Sequence, residues 1–175
     1  MSGYYTYLIA SLPMLHFGQK APLTFGKFLD TCRAMLAEPE VRILEAIRTD
    51  GALKINQPTL ERWRTFDAAL RNELVKIRSA RRKADSLKYL RPAGECADSS
   101  LSQSAMNAHR APMMEGEKLL DQERWRKLEE LALGHYFDLD VLITYAHKLL
   151  ILEKWDRVRS ANPGVLLEDA IPQAG

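Results

Sequence analysis

The chain reads as an all-α protein: a helical bundle of about six helices with one long central helix and a polar loop insertion after it. Three observations predict this. Apolar residues recur at three- and four-residue steps through most of the 175 positions. Capping and stop residues stand at the ends of those runs. No segment beyond the N-terminus alternates convincingly as a strand does, and a lone strand has nothing to pair with.

The elements follow in order. Tyr5, Tyr7 and Ile9 alternate as in a strand, while Tyr5, Leu8, Ile9 and Leu12 recur as in a helix; the lack of a partner strand favours helix, and Pro13 ends it. Thr24 is suited to cap the next element, its hydroxyl accepting from an orphan backbone N–H. Phe25, Phe28, Leu29, Cys32, Met35 and Leu36 then form one apolar stripe. Pro39 opens a further helix, where a missing N–H costs nothing, and Val41, Leu44 and Ile47 carry it to the stop Asp50-Gly51. Residues 24–50 are thus a helical hairpin.

From Pro58, the residues Leu60, Trp63, Phe66, Leu70, Leu74, Ile77, Ala84, Leu87 and Leu90 keep helical spacing up to Arg91-Pro92. A continuous helix over 58–91 would run roughly 50 Å at 1.5 Å per residue. Residues 92–112 are small and polar with Pro at both ends, the composition of a flexible loop. A helical pair over 115–160 follows, divided by Gly134 and ended by Asn162-Pro163-Gly164, with a short tail over 161–175. One all-helical domain over 1–175 is expected.

Composition narrows the function classes. At 46% hydrophobic and 27% charged residues the chain is that of a globular protein, and a net charge of +2 argues for neither nucleic acid nor membrane by itself. Cys32 and Cys96 supply no disulfide framework and no zinc spacing, so two cytosolic free thiols are expected. The N-terminal stretch MSGYYTYLIASLPML lacks a basic start and a cleavage site, and no window is apolar enough to span a bilayer. A cytoplasmic protein with no direct membrane span follows.

Three places carry candidate chemistry. GHYFDLDVLITYAHKLLILEKW, residues 134–155, gathers His135, Asp138, Asp140 and His147, the raw material of a metal or acid–base site. The same stretch reads as a stop at Gly134, a cap at Asp138 and an amphipathic helix buried through Leu139, Leu142, Ile143, Ala146, Leu149 and Leu150. Asp140, Thr144, His147, Ile151 and Lys154 then share the opposite stripe. His147 falls about 10 Å along the axis from Asp140, too far for two ligands on one helix, so the structural reading is preferred and no metal is expected.

The second place, KIRSARRKADSLKYLR over 76–91, holds seven Lys or Arg and the single acid Asp85. Such a strip suits phosphates, an acidic protein surface or plain solvent. The third is the N-terminal cluster Tyr4, Tyr5 and Tyr7, whose hydroxyls want partners and suit an interface. Enzyme signatures are missing: there is no P-loop, no G-x-S-x-G, no Rossmann glycine pattern and no C-x-x-C. A non-enzymatic protein without cofactors is expected.

Three stretches carry a family resemblance: YYTYLIASLPML, WRTFDAALRNELVKIRSARR and LEELALGHYFDLDVLITYAHKLLILEKW. With them the chain resembles a little-characterised bacterial family of helical proteins encoded among the genes of V-type rotary ATPases. It is similar more distantly to the C/d-type socket of those ATPases, an all-helical, funnel-shaped component between the central rotor and the membrane ring. Tyr5-Thr6-Tyr7-Leu8-Ile9-Ala10 and the D-L opening at Asp138-Leu139 carry that likeness. The C/d-type socket is a longer chain of repeated helical units, so this chain corresponds to only part of it.

The resemblance implies a central-stalk or C/d-like adaptor, partnered by the ATPase rotor and membrane ring and peripheral at the inner membrane face. It brings no catalytic residues. Tyr4, Tyr5, Tyr7, Arg78, Arg81, Arg82 and His147 are the expected partner-binding residues. A nucleic-acid-binding helical protein using the 76–91 strip is the alternative.

Overall fold

A computed structural model of the chain describes residues 3–49, 55–83, 85–92 and 100–161. All elements among these are helical, as expected: α1 (Gly3–Ser11), α2 (Phe25–Arg33), α3 (Glu38–Arg48), α4 (Pro58–Arg82), a 3-10 turn (Ser86–Tyr89), α5 (Leu101–Arg110), α6 (Met113–Ala132) and α7 (Leu139–Ala161). The expected stop at Asp50-Gly51, Ala84 of the long apolar stripe, Cys96, and the break and tail after Ala161 lie outside the described residues. Where one domain over 1–175 is expected, the chain divides into two compact units, Met1–Lys54 with His135–Gly175, and Ile55–Gly134. The helices of the 115–160 pair accordingly belong to different units.

In the first unit, α2 and α3 pack on each other and on α7. Thr24 caps α2 as expected, its hydroxyl accepting from the Lys27 N–H at 3.3 Å. The α3 start is closed by Glu40, whose carboxylate accepts the Ala37 N–H at 3.0 Å, with Pro39 in the first turn. Phe25, Phe28 and Cys32 of α2, Leu44 of α3, Leu8 of α1 and Leu142, Ile143, Ala146, Leu149 and Leu152 of α7 form the core.

Helix α7 departs from the expected pattern. Thr144 and Ile151 of the stripe read as polar and outward are buried, and His147 between them is half-buried. A helix apolar around most of its circumference is covered on more than one face. Its C-terminal half also fastens the segment before α2. Glu153 accepts the Phe25 N–H at 2.7 Å and Asp156 the Ala21 N–H at 3.0 Å, while Arg159 donates to the carbonyls of Gly18 and Gln19. Gly18, at φ +82°, makes the tight turn that presents those carbonyls. Tyr145 stacks on Phe28 with ring centroids 5.4 Å apart and donates its hydroxyl to the Pro13 carbonyl at 2.8 Å.

In the second unit, α4 and α6 both pack on α5 and on each other. Gln57 caps α4 through its side-chain oxygen, which accepts the Leu60 N–H at 2.6 Å, and Pro58 takes the first turn. Trp63, Phe66, Leu70, Leu74, Leu101, Ala105, Leu120, Trp125 and Leu128 are buried. A charged knot accompanies them. Arg124 of α6 donates to Asp67 of α4 at 2.8 Å and to Asp121 at 2.7 Å, and Asp121 is 2% exposed. Burial pulls the Arg124 guanidinium toward neutrality, but the two carboxylates outweigh it and hold its pKa above the ordinary value.

Two expectations are corrected here. The long helix ends at Arg82, short of Arg91: Lys83 takes a left-handed conformation at φ 52° and closes α4, and Asp85 caps the 3-10 turn by accepting the Leu87 N–H at 3.0 Å. The chain then doubles back along α4. The stretch expected as loop over 92–112 contains α5, whose buried face is Leu101, Ala105 and Ala108. Small side chains let α5 and α6 approach closely: a Cβ on Gly116 would stand 2.4 Å from the Ala108 carbonyl oxygen.

Candidate interaction surfaces

The stretch from Gly134 to Asp140 is built as a helix start. Gly134, at φ +83°, turns the chain after α6. Asp138 then caps α7, one carboxylate oxygen accepting the Val141 N–H at 3.2 Å. Its other oxygen lies 2.6 Å from His135 Nδ1, and Asp140 lies 3.7 Å from the same nitrogen. Donor atoms of His135, Asp138 and Asp140 lie within 4.8 Å of one another, so three of the four residues expected in the 134–155 stretch do converge. His147 is not in that group.

An imidazole nitrogen and two carboxylates are a donor set that a borderline divalent cation accepts. The 2.6 Å between His135 and Asp138, however, is that of a hydrogen bond. Two ligands on a tetrahedral ion at its usual bond lengths stand about 3.3 Å apart. As placed, Asp138 orients the imidazole and starts the helix with its two oxygens.

Tyr5 joins this region. Its hydroxyl donates to Glu40 of α3. Its pKa is raised, first by burial, then by the Glu40 hydrogen bond and charge, and then by the charges of Asp138 and Asp140. The hydroxyl therefore keeps its proton, and α1 is tied to α3 beside the α7 start. Tyr5 is a structural tie as well as an expected contact residue.

Its neighbours on α1 differ. Tyr4 and Tyr7 are 64% and 70% exposed, and in the connection before α7 Tyr136 and Phe137 are 72% and 51% exposed. Four large aromatic side chains in one unit are thus left to solvent. Sequence reasoning singled out Tyr4 and Tyr7 and missed Tyr136 and Phe137. The signal was available: both lie between the stop Gly134 and the cap Asp138, where no helical face can bury them.

The expected Arg78, Arg81 and Arg82 belong to the other unit and are all exposed near the end of α4. A depression is lined by Arg33, Leu36, Glu38, Val41, Arg42 and Glu45 of α2, α3 and their connection. Its charges are engaged with one another, Arg33 with Glu45 at 2.6 Å and Arg42 with Glu38.

Residues 97–164, less than half of the chain, match a family described as "Protein of unknown function (DUF2764)". The matched segment contains α5, α6, the His135–Asp140 stretch and α7. No curated protein and no solved structure matches the chain.

Proposed function

We propose that this protein is a non-enzymatic component of a V-type rotary ATPase, a central-stalk or C/d-like adaptor between the rotor and the membrane ring. One observation carries the reading: Tyr4, Tyr7, Tyr136 and Phe137 are exposed on a helical unit whose core is otherwise filled. Large exposed aromatics are the residue type enriched where proteins bind one another, because each buries much area at little entropic cost. The resemblance of the N-terminal and C-terminal stretches to proteins encoded with such ATPases supplies the partner. Both stretches include residues of the unit that carries the aromatics.

An adaptor of this kind needs stiffness and complementarity and no chemistry of its own. The ties Tyr5 to Glu40, Tyr145 to Pro13 and Arg159 to the 18–19 turn supply stiffness in the unit concerned. On this reading the protein sits in the cytoplasm, peripheral to the membrane through the complex. Isolation of the intact ATPase from the native cell, followed by mass spectrometry, tests it: the chain is expected to co-purify with the rotor and the ring. Its absence from an intact, active complex would overturn the reading.

A further inference from the structure

The fold concentrates charge where the sequence spreads it. On a continuous helix, the seven cations of 76–91 would be strung along roughly 20 Å. Instead α4 stops at Arg82, the left-handed Lys83 turns the chain, and the 3-10 turn packs back against α4. Asn72 pins the return. Its side-chain amide donates to the Arg91 carbonyl and its oxygen accepts the Arg91 N–H, both at 2.9 Å. Lys76, Arg78, Arg81, Arg82, Lys83, Lys88 and Arg91 are all exposed at this tip.

Among the described residues the tip is also poor in counter-charge. Lys76 pairs with Glu73 at 2.6 Å. Arg78, Arg81, Arg82, Lys83 and Lys88 pair with no carboxylate among the described residues. The one acid in the segment, Asp85, is occupied in capping the 3-10 turn. On that same turn, Leu87 is 76% exposed and Tyr89 65% exposed.

We infer that this tip docks on an anionic lipid surface. Several exposed cations without a carboxylate partner among the described residues suit a diffuse, laterally adjustable field of headgroups better than one discrete ligand. The exposed leucine and tyrosine decide between diffuse anions. At a bilayer interface an apolar side chain is buried at the acyl boundary and a tyrosine ring sits at headgroup level, whereas a duplex backbone offers Leu87 nothing. The inference goes beyond the adaptor role and stands independently of it, because it uses only the second unit.

The test is co-sedimentation of the full chain with phosphatidylcholine vesicles, with and without phosphatidylserine, at low and high salt. Binding is expected only with phosphatidylserine and should fall as salt rises. Each basic residue near an anionic surface is worth about fivefold in binding. The exposed double variant Arg81→Glu/Arg82→Glu should therefore bind at least about twentyfold more weakly, with an unchanged helical circular-dichroism spectrum. Leu87→Ser/Tyr89→Ser should weaken vesicle binding while the charge-driven salt dependence persists. Equal binding to neutral vesicles, no binding at low salt, indifference to the Arg81/Arg82 reversal, or tighter binding to duplex DNA than to anionic vesicles at the same salt would each overturn it.

Discussion

Asn72 and Arg91, nineteen positions apart, exchange two hydrogen bonds of 2.9 Å, and this pairing folds the end of the long apolar stripe back upon α4. Asn72→Ala removes both bonds. The site is solvent-accessible, so the loss should be modest, about 1 kcal/mol of stability. The sharper readout is local: trypsin should cut the Lys- and Arg-rich segment after Lys83 much faster in the variant. Unchanged cleavage would show that the return is held by something else.

Gly116 offers a test in which two effects have opposite signs. In an exposed helix interior, Gly→Ala stabilises by about 1 kcal/mol through propensity. Here the added methyl meets the Ala108 carbonyl oxygen at 2.4 Å, a backbone atom that cannot rotate away. Overpacking should win, and Gly116→Ala should destabilise by about 1–3 kcal/mol in denaturant unfolding. A rise in stability would mean that α5 and α6 are further apart than described.

Arg124 holds Asp67 and Asp121 together between α4 and α6. Arg124→Ala takes a hydrogen-bonded cation away from a carboxylate that is 2% exposed and should cost about 3 kcal/mol. Arg124→Ala combined with Asp121→Ala should cost less than the two single losses summed, since both single changes break the same ion pair. Additive losses would rule out the coupling.

Cys32 makes a prediction about pH. Burial pushes its thiol pKa up to about 12, and burial followed by the nearby Cys32 charge does the same for Tyr145. An acid whose folded pKa lies above its unfolded one keeps its proton in the native state after the unfolded chain has lost it. Stability is thus intact below about pH 8.5 and falls as pH rises toward 12. Cys32→Ala should flatten the first part of that fall, between about pH 8.5 and 10, leaving the tyrosine contribution above it. Parallel pH profiles for the two proteins would contradict this account.

Much of the architecture was legible because its signals are local. Thr24, Pro39, Pro58, Gly134 and Asp138 each mark a helix end by what their own backbone or side chain can do, and each does so in the structure. What escaped depends on neighbours. Leu87 and Leu90 keep helical spacing past Arg82, yet the helix ends at a lysine in a left-handed conformation, a stop that no glycine announces. The α5 helix buries alanines, whose apolar stripe is hard to see in a small-residue segment, and its closeness to Gly116 exists only in three dimensions.

The candidate surfaces divide in the same way. Tyr4 and Tyr7 announced themselves by composition, and both are exposed. The outward stripe assigned to α7 through Thr144 and Ile151 failed, because periodicity on one helix cannot say how many neighbours cover it. The meeting of His135 with Asp138 and Asp140 is made by the bends at 136–138, which bring a pre-helical residue over the helix start.

Whether the exposed aromatics of the first unit hold this chain in a rotary ATPase is tested most directly by one comparison. The wild-type chain and Tyr4→Ser/Tyr7→Ser/Tyr136→Ser, all changed at exposed positions, would be expressed in the native cell and quantified in the isolated intact ATPase. The wild-type chain should be retained with the rotor and the ring, and the folded triple variant should be lost at least about tenfold, the cost of removing interface aromatics. Equal retention of the two would contradict the adaptor role assigned to these side chains.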